Sequence, residues 1–127
     1  MNDAPPLLSG ISQIALGSAD PGALAAWYRD VLGLAVLFEA GGMTFFQAGA
    51  MRFMIGPAQP GQTIGGDAII YFETQNWSEA NAALQAKGVA FLGDAAPVQQ
   101  AQGRELMVRA FKDPEGHRLA LLGWRPA

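Results

Sequence analysis

No cysteine occurs in the 127 residues, which excludes disulfides, thiolate metal sites and a cysteine nucleophile together. The absence fits a reducing compartment. Charge is also scarce: Asp, Glu, Lys and Arg make up 15% of the chain, against about 25% in an ordinary domain. A surface so poor in charge leaves apolar area that monomers seldom expose, and this predicts a homodimer. Eight basic residues against eleven acidic ones give a net charge of −3. No basic run is available to neutralise phosphates, so nucleic acid is not an expected partner. No apolar run approaches the roughly 18 residues of a membrane span. The stretch Met1 to Gly10 lacks both a basic segment and a long apolar one, which argues against a signal peptide and for a cytoplasmic location. Its Pro5-Pro6 pair reads as a loose arm over residues 1–10. There is one histidine, His117, hence no metalloprotease-type His pair. Gly-rich phosphate loops and Ser-centred nucleophile elbows are missing too.

Hydrophobic patterning is what remains, and it is strong. Ile11 to Leu16 alternates with period two and reads as a strand. Asp20 then offers a helix cap and Pro21 a first helical residue. Leu24, Trp27, Tyr28 and Val31 recur at helical spacing, and Gly33 closes a helix over about 20–32. Three short strands follow, Leu34–Glu39, Met43–Gln47 and Met51–Ile55, separated by glycines. Residues 57–66 form a connector rich in Gly, Pro and Gln. The pattern then restarts. Ala68–Glu73 is a strand; Asn76 and Glu79 stand in capping-box positions before a helix that ends at Gly88. Val89–Leu92 is a short strand, a Pro- and Gln-containing loop follows, and Arg104–Phe111 and His117–Leu122 are strands around the turn Asp113-Pro-Glu-Gly116. Gly33 and Gly88 lie 55 positions apart, and Gln13 and Ile69 lie 56 apart. Such agreement over a whole strand–helix unit predicts an α+β protein made of a duplicated module: residues 11–124, with module 1 at about 11–56 and module 2 at about 67–124.

Five segments carry a family likeness: Ser12-Gln-Ile-Ala-Leu16, Ala26-Trp-Tyr-Arg-Asp-Val-Leu-Gly33, Ile70-Tyr-Phe72, Lys87-Gly-Val-Ala-Phe91 and Asp113-Pro-Glu-Gly-His-Arg-Leu-Ala-Leu-Leu122. In this order they resemble the vicinal-oxygen-chelate superfamily, which groups glyoxalases, bleomycin-resistance proteins and dioxygenases. The resemblance implies two βαβββ modules whose sheets form a curved mixed sheet around a central cavity, within one chain or across a dimer. It also implies a divalent metal in many members, held by one residue from each module's first strand and one from its last. Gln13 suits the first such position. Ile69, Phe53 and Ala120, the latter two placed by aligning Gly56 with Gly123, do not. The expectation is therefore no metal and no other cofactor, with an atypical divalent site left open. His117 reads as a structural residue of its turn.

The remaining polar chemistry concentrates on Arg104–Phe111. Leu106, Val108 and Ala110 share one face, expected beneath the helices, and Glu105, Met107, Arg109 and Phe111 share the other. If that second face lines the cavity, Arg109 orients an anionic or carbonyl-bearing ligand, Gln13 hydrogen-bonds it and Glu105 is a candidate catalytic base. Tyr71, Ile69, Phe53 and Met107 then supply apolar and aromatic wall, with Met43, Met51 and Met54 as adaptable lining. The same two charges suit a solvated strand end equally well. Three functional classes follow: a metal-free binder of a small hydrophobic or aromatic molecule; a glyoxalase-like lyase, isomerase or dioxygenase-type enzyme with an atypical site; and a structural or interaction domain.

Overall fold

A computed structural model describes residues 7–127. The chain runs β1 (Gln13–Ser18), α1 (Pro21–Asp30), β2 (Ala35–Ala40), β3 (Met43–Ala48), β4 (Met51–Pro57), β5 (Ile69–Glu73), α2 (Trp77–Ala86), β6 (Ala90–Phe91), β7 (Ala96–Ala101), β8 (Arg104–Lys112) and β9 (Arg118–Pro126). This is an α+β architecture of two related modules, βαβββ in the first half and the same plan with one added edge strand in the second. Part of the expected N-terminal arm lies outside the described residues.

Each module forms a mixed sheet with its helix on one face. In module 1 the order is β1-β4-β3-β2, and in module 2 it is β5-β9-β8 with β6 and β7 both paired to β8. The first strand of each module pairs in parallel with its last, and the other pairs are antiparallel. The parallel pairing requires a crossover, and the helix supplies it. Its start is built locally. Asp20 accepts from the Ala23 N–H at 3.3 Å, with Pro21 following. Asn76 accepts from the Glu79 N–H at 3.2 Å, and its own amide donates to the Glu79 carboxylate at 3.0 Å.

Two expectations about module 2 need correction. The Pro- and Gln-containing stretch is not a loop: residues 96–101 form β7, an edge strand paired with β8 and bulged between Pro97 and Gln99. Proline lacks an N–H to donate, and a bulged edge is where a sheet tolerates it. The β7–β8 turn places Gln102 and Gly103 at φ 54° and 73°, and the β2–β3 turn places Gly41 and Gly42 at 59° and 78°. Two successive positive φ values make the tight hairpin turn whose twist matches its strands. The last strand also extends beyond Leu122, to Pro126.

The core lies between the two sheets and the two helices. Leu24, Tyr28, Phe46, Phe53 and Ile55 from module 1 form one cluster with Trp77, Leu84, Met107, Phe111, Leu119 and Leu121 from module 2. Tyr28 anchors it: its ring centroid lies 5.3 Å from Phe53, 6.5 Å from Phe46 and 6.4 Å from Phe72 across the module boundary. Tilted aromatic pairs of this kind each add about 0.5–1.5 kcal/mol beyond their burial. Lys87, just after α2, donates to the carbonyls of Asp30 and Val31 at the end of α1, groups that the helix leaves without partners. Among the described residues no helix is long and apolar enough to cross a membrane.

Candidate functional site

The helices cover one face of each sheet, so the side chains of the other, helix-free faces are the ones available to a ligand. Strand register assigns every residue to a face, because directly paired residues share one. In module 1, Phe53 and Ile55 point under α1 and are fully buried. The helix-free face therefore takes Arg52 and Met54. Register arranges that face in rows. One reads Gln47–Arg52–Gln13; the next reads Phe38–Phe45–Met54–Ala15. A guanidinium flanked by two carboxamides thus runs beside a strip of aromatic and thioether surface. The Arg52 Nε–H donates to Gln13 Oε1 at 2.9 Å, and its guanidinium carbon stands 5.5 Å from the Phe45 ring centre. Phe45 and Phe38 are stacked, with centroids 4.5 Å apart. No carboxylate of the described residues forms an ion pair with Arg52.

Module 2 repeats the plan with other letters. Ile69 pairs with Arg118 as Gln13 pairs with Arg52, and Tyr71 pairs with Ala120 as Ala15 pairs with Met54. Ile69 and Tyr71 are about half exposed on this helix-free face. Beside Tyr71 lies a cleft of about 580 Å³ that Tyr71 and Glu73 share with Ala35, Gln47 and Met51 of module 1. The polar row of module 1 therefore ends at a junction between the modules.

This register overturns the alignment of Gly56 with Gly123. The residue equivalent to Ala120 is Met54, and Phe53 points the opposite way into the core. Phe53 is thus no wall of a ligand site. The four positions that the family resemblance assigns to metal ligands hold Gln13, Ile69, Met54 and Ala120. One amide oxygen among a thioether and two hydrocarbons does not fit a hard divalent ion, which takes several oxygen or nitrogen donors. Nor do three or more His, Cys, Asp or Glu side chains cluster anywhere among the described residues.

The facing expected for β8 is reversed. Met107 and Phe111 are buried on the helix side, and Arg109 is bound to α2. Its guanidinium donates to Asn81 Oδ1 at 2.9 Å, Gln85 Oε1 at 3.1 Å and the Gly93 carbonyl at 3.0 Å, and it sits 3.7 Å over the Phe91 ring centre. Arg109 and Met107 therefore belong to the packing of α2, and Leu106, Val108 and Ala110 occupy the helix-free face. The physical reason is volume: Met and Phe fill the space beneath a helix better than Val and Ala, while Arg109 stacks its guanidinium on Phe91 and donates to the acceptors around it. Glu105 lies on the same side, its carboxylate 2.7 Å from the Arg125 guanidinium. It is not a free base at a cavity. Sequence reasoning missed Arg52, Gln47, Phe38 and Phe45. The signal was present in the turn at Gly49-Ala50, since a hairpin there pairs Gln47 with Arg52.

A second polar group sits inside the molecule and joins the modules. Asp113 is buried. Its Oδ2 accepts from the Tyr28 hydroxyl at 2.7 Å and faces His117 Nδ1 at 2.7 Å, while Oδ1 accepts from the Glu115 and His117 N–H groups. His117 Nε2 lies 2.9 Å from the Gly17 carbonyl. Burial, and then the Asp113 carboxylate, push the Tyr28 hydroxyl well above the ordinary tyrosine range, so it stays a donor. Glu115 accepts from the Ser18 hydroxyl and the Ala19 N–H. Burial alone would raise its pKa, but these hydrogen bonds outweigh burial and hold it below the usual carboxylate range. His117 is thus a structural residue of its turn, as its position in the sequence suggests, and it reaches across to module 1.

The fold is shared with many solved structures. An integron cassette protein from the mobile metagenome of V. cholerae is 21% identical, with a TM-score of 0.75 over 91% of this chain and 95% of that one. A lactoylglutathione lyase from Agrobacterium tumefaciens is 19% identical, with a TM-score of 0.74 over 93% and 96%. TnmS3, an antibiotic binding protein from Streptomyces sp. CB03234, is 19% identical, with a TM-score of 0.74 over 96% and 99%. At such identities the likeness establishes the fold and leaves the activity open. No curated protein matches the chain. The paired strand–helix–sheet modules, the Asp113–Gly116 turn and a sequence model that matches residues 10–121 together place this chain in the Glyoxalase/Bleomycin resistance protein/Dioxygenase superfamily.

Proposed function

We propose that this protein binds a small molecule on its helix-free sheet faces without a divalent metal. The observation that carries the reading is the composition of those faces. The positions that would hold a metal carry Gln13, Ile69, Met54 and Ala120, and their neighbours Phe38, Phe45 and Tyr71 present aromatic surface. Ligand sites are mostly apolar with a few convergent polar groups, and Gln13 with Arg52 supplies those groups here. In this reading Ile69 and Tyr71, half exposed on the module 2 face, form part of the wall. The enzymatic alternative loses its base, because Glu105 is tied to Arg125 on the helix side. The antibiotic binding protein among the fold neighbours is compatible with the binding reading.

A second copy of the chain completes the site in this reading. Val36, Leu37, Phe38, Ile69, Tyr71 and Val98 each leave more than a third of their area exposed, and apolar area of that extent seeks a partner. Metal analysis of chelator-free protein, with thermal shifts in Ni, Zn, Mn and Fe, tests the metal-free part. Less than a tenth of an equivalent of metal and no ion-specific stabilisation are expected; stoichiometric metal, or marked stabilisation by one ion, would refute it. Thermal shifts against a library of small aromatic compounds test the binding part, and light scattering tests the dimer.

A further inference from the structure

The protein is acidic overall, yet its helix-free faces are basic. Of the eight cationic side chains, Arg29 pairs with Asp30, Arg125 with Glu105, Arg109 is held by α2, and Lys87 caps α1. The other four, Arg52, Arg104, Lys112 and Arg118, all fall by register on the helix-free faces. The only carboxylate that register places on those faces among the described strands is Glu73. Charge on the strands is thus segregated, with four cationic side chains against one carboxylate on the helix-free faces.

We propose that the module 1 face selects a planar aromatic carboxylate, a refinement that rests on the metal-free binding reading above. Arg52 is the anion site. Gln13 fixes its Nε, so the guanidinium edge is oriented before a ligand arrives, and Arg presents parallel donors that match a carboxylate. The hydrocarbon of the ligand lies on the neighbouring row, over Phe45 and Met54 and against the half-exposed Phe38 ring. Successive rows on one face of a sheet are two residues, or about 7 Å, apart along the backbone, and the Arg52 guanidinium leans to 5.5 Å from the Phe45 ring centre. A ligand held at Arg52 by its carboxylate must therefore extend its ring system along the aromatic row. A fused bicyclic acid covers more of that row than benzoate does. Arg118 at the equivalent register position of module 2 has Ile69 and Lys112 in place of the two glutamines and the single Tyr71 ring beside Ala120 and Ala110 in place of the stacked phenylalanines, so module 1 is the selective face.

The test is calorimetric titration of the full-length protein with 2-naphthoate, with its neutral isostere 2-naphthamide, and with benzoate. Naphthoate should bind about tenfold or more tightly than naphthamide, the usual scale for one charge-assisted contact, and more tightly than benzoate. Arg52→Gln should erase the preference for naphthoate, weakening naphthoate about tenfold or more and naphthamide much less. Phe45→Leu should weaken both. Arg29→Gln removes an equal charge far from the face and should change neither. Equal affinity of the wild type for acid and amide would overturn the charge selection while leaving small-molecule binding intact. An equal loss in Arg29→Gln would reduce the effect to net charge and overturn it as well. Binding of none of the three would also overturn it, and the library screen would then decide separately whether the broader binding reading survives. Dissociation of a dimer by Arg52→Gln, with the acid preference retained, would reassign Arg52 to a subunit interface.

Discussion

Replacing Tyr28 by Phe probes the junction between the modules with a single oxygen. The ring contacts with Trp27, Phe46, Phe53 and Phe72 persist, and the hydroxyl's 2.7 Å bond to buried Asp113 is lost. Hydrogen bonds to a charged group contribute about 1.5–3 kcal/mol. The upper half of that range is expected here, because no water reaches Asp113 to replace the donor. In a chain of this length 1 kcal/mol shifts the melting temperature by about 4 °C, so the variant should melt about 9–12 °C lower. Urea denaturation at neutral pH, with the slope unchanged between wild type and variant, gives the free energy directly. Asp113→Asn should also destabilise, and in a double-mutant cycle the two changes should couple by more than about 1 kcal/mol. A loss below about 0.5 kcal/mol for Tyr28→Phe, or additive effects in the cycle, would refute the argument that this network joins the modules.

Other outcomes follow from the same packing. Arg109→Ala removes three hydrogen bonds and the stack on Phe91, and should lower stability by about 2–3 kcal/mol without changing the affinity of any ligand that binds; calorimetry and denaturation separate the two effects. Glu115 has a lowered pKa, so its contribution is fully present above the unfolded carboxylate value and is lost as the pH falls through the lower folded value. Glu115→Gln should therefore be less stable than the wild type at pH 7 and flatten the acid limb of stability against pH below about pH 4.5. Gly123→Ala would place a Cβ 2.7 Å from Thr74 Cγ2 and 3.0 Å from its carbonyl oxygen, and should cost about 1–3 kcal/mol by overpacking, measured by thermal melting.

Much of the fold is legible in local chemistry. Asp20-Pro21 and Asn76 set the two helix starts, and the glycines at 33 and 88, both at positive φ, set their ends. The restart of the strand–helix pattern near Ile69 reveals the second module before any coordinate is known. Strand β7 escaped notice because Ala96-Pro-Val-Gln-Gln-Ala101 has no alternation and contains a proline. Its pairing is set by β8, which lies next to it in the sheet, and not by its own propensity. The candidate site was legible only in part. Gln13, Ile69 and Tyr71 stand on the helix-free faces as their alternation suggests, whereas Arg109, Met107, Phe53 and Glu105 do not.

Strand β8 shows where local pattern stops. Both its faces are apolar enough to be buried, Leu106, Val108 and Ala110 on one and Met107 and Phe111 on the other. A period of two identifies a strand but carries no label for the side on which a helix will settle. The same ambiguity left β4 one residue out of register, which exchanged Phe53 for Met54 and hid Arg52. The duplicated module, the helix starts and ends, the poverty of metal ligands and the family likeness are all written in local residue pattern. Which face of each strand is open is not, because facing is set by the docking of α1 and α2. That docking is a long-range packing choice made by side-chain volume and by the few hydrogen-bond partners each helix offers.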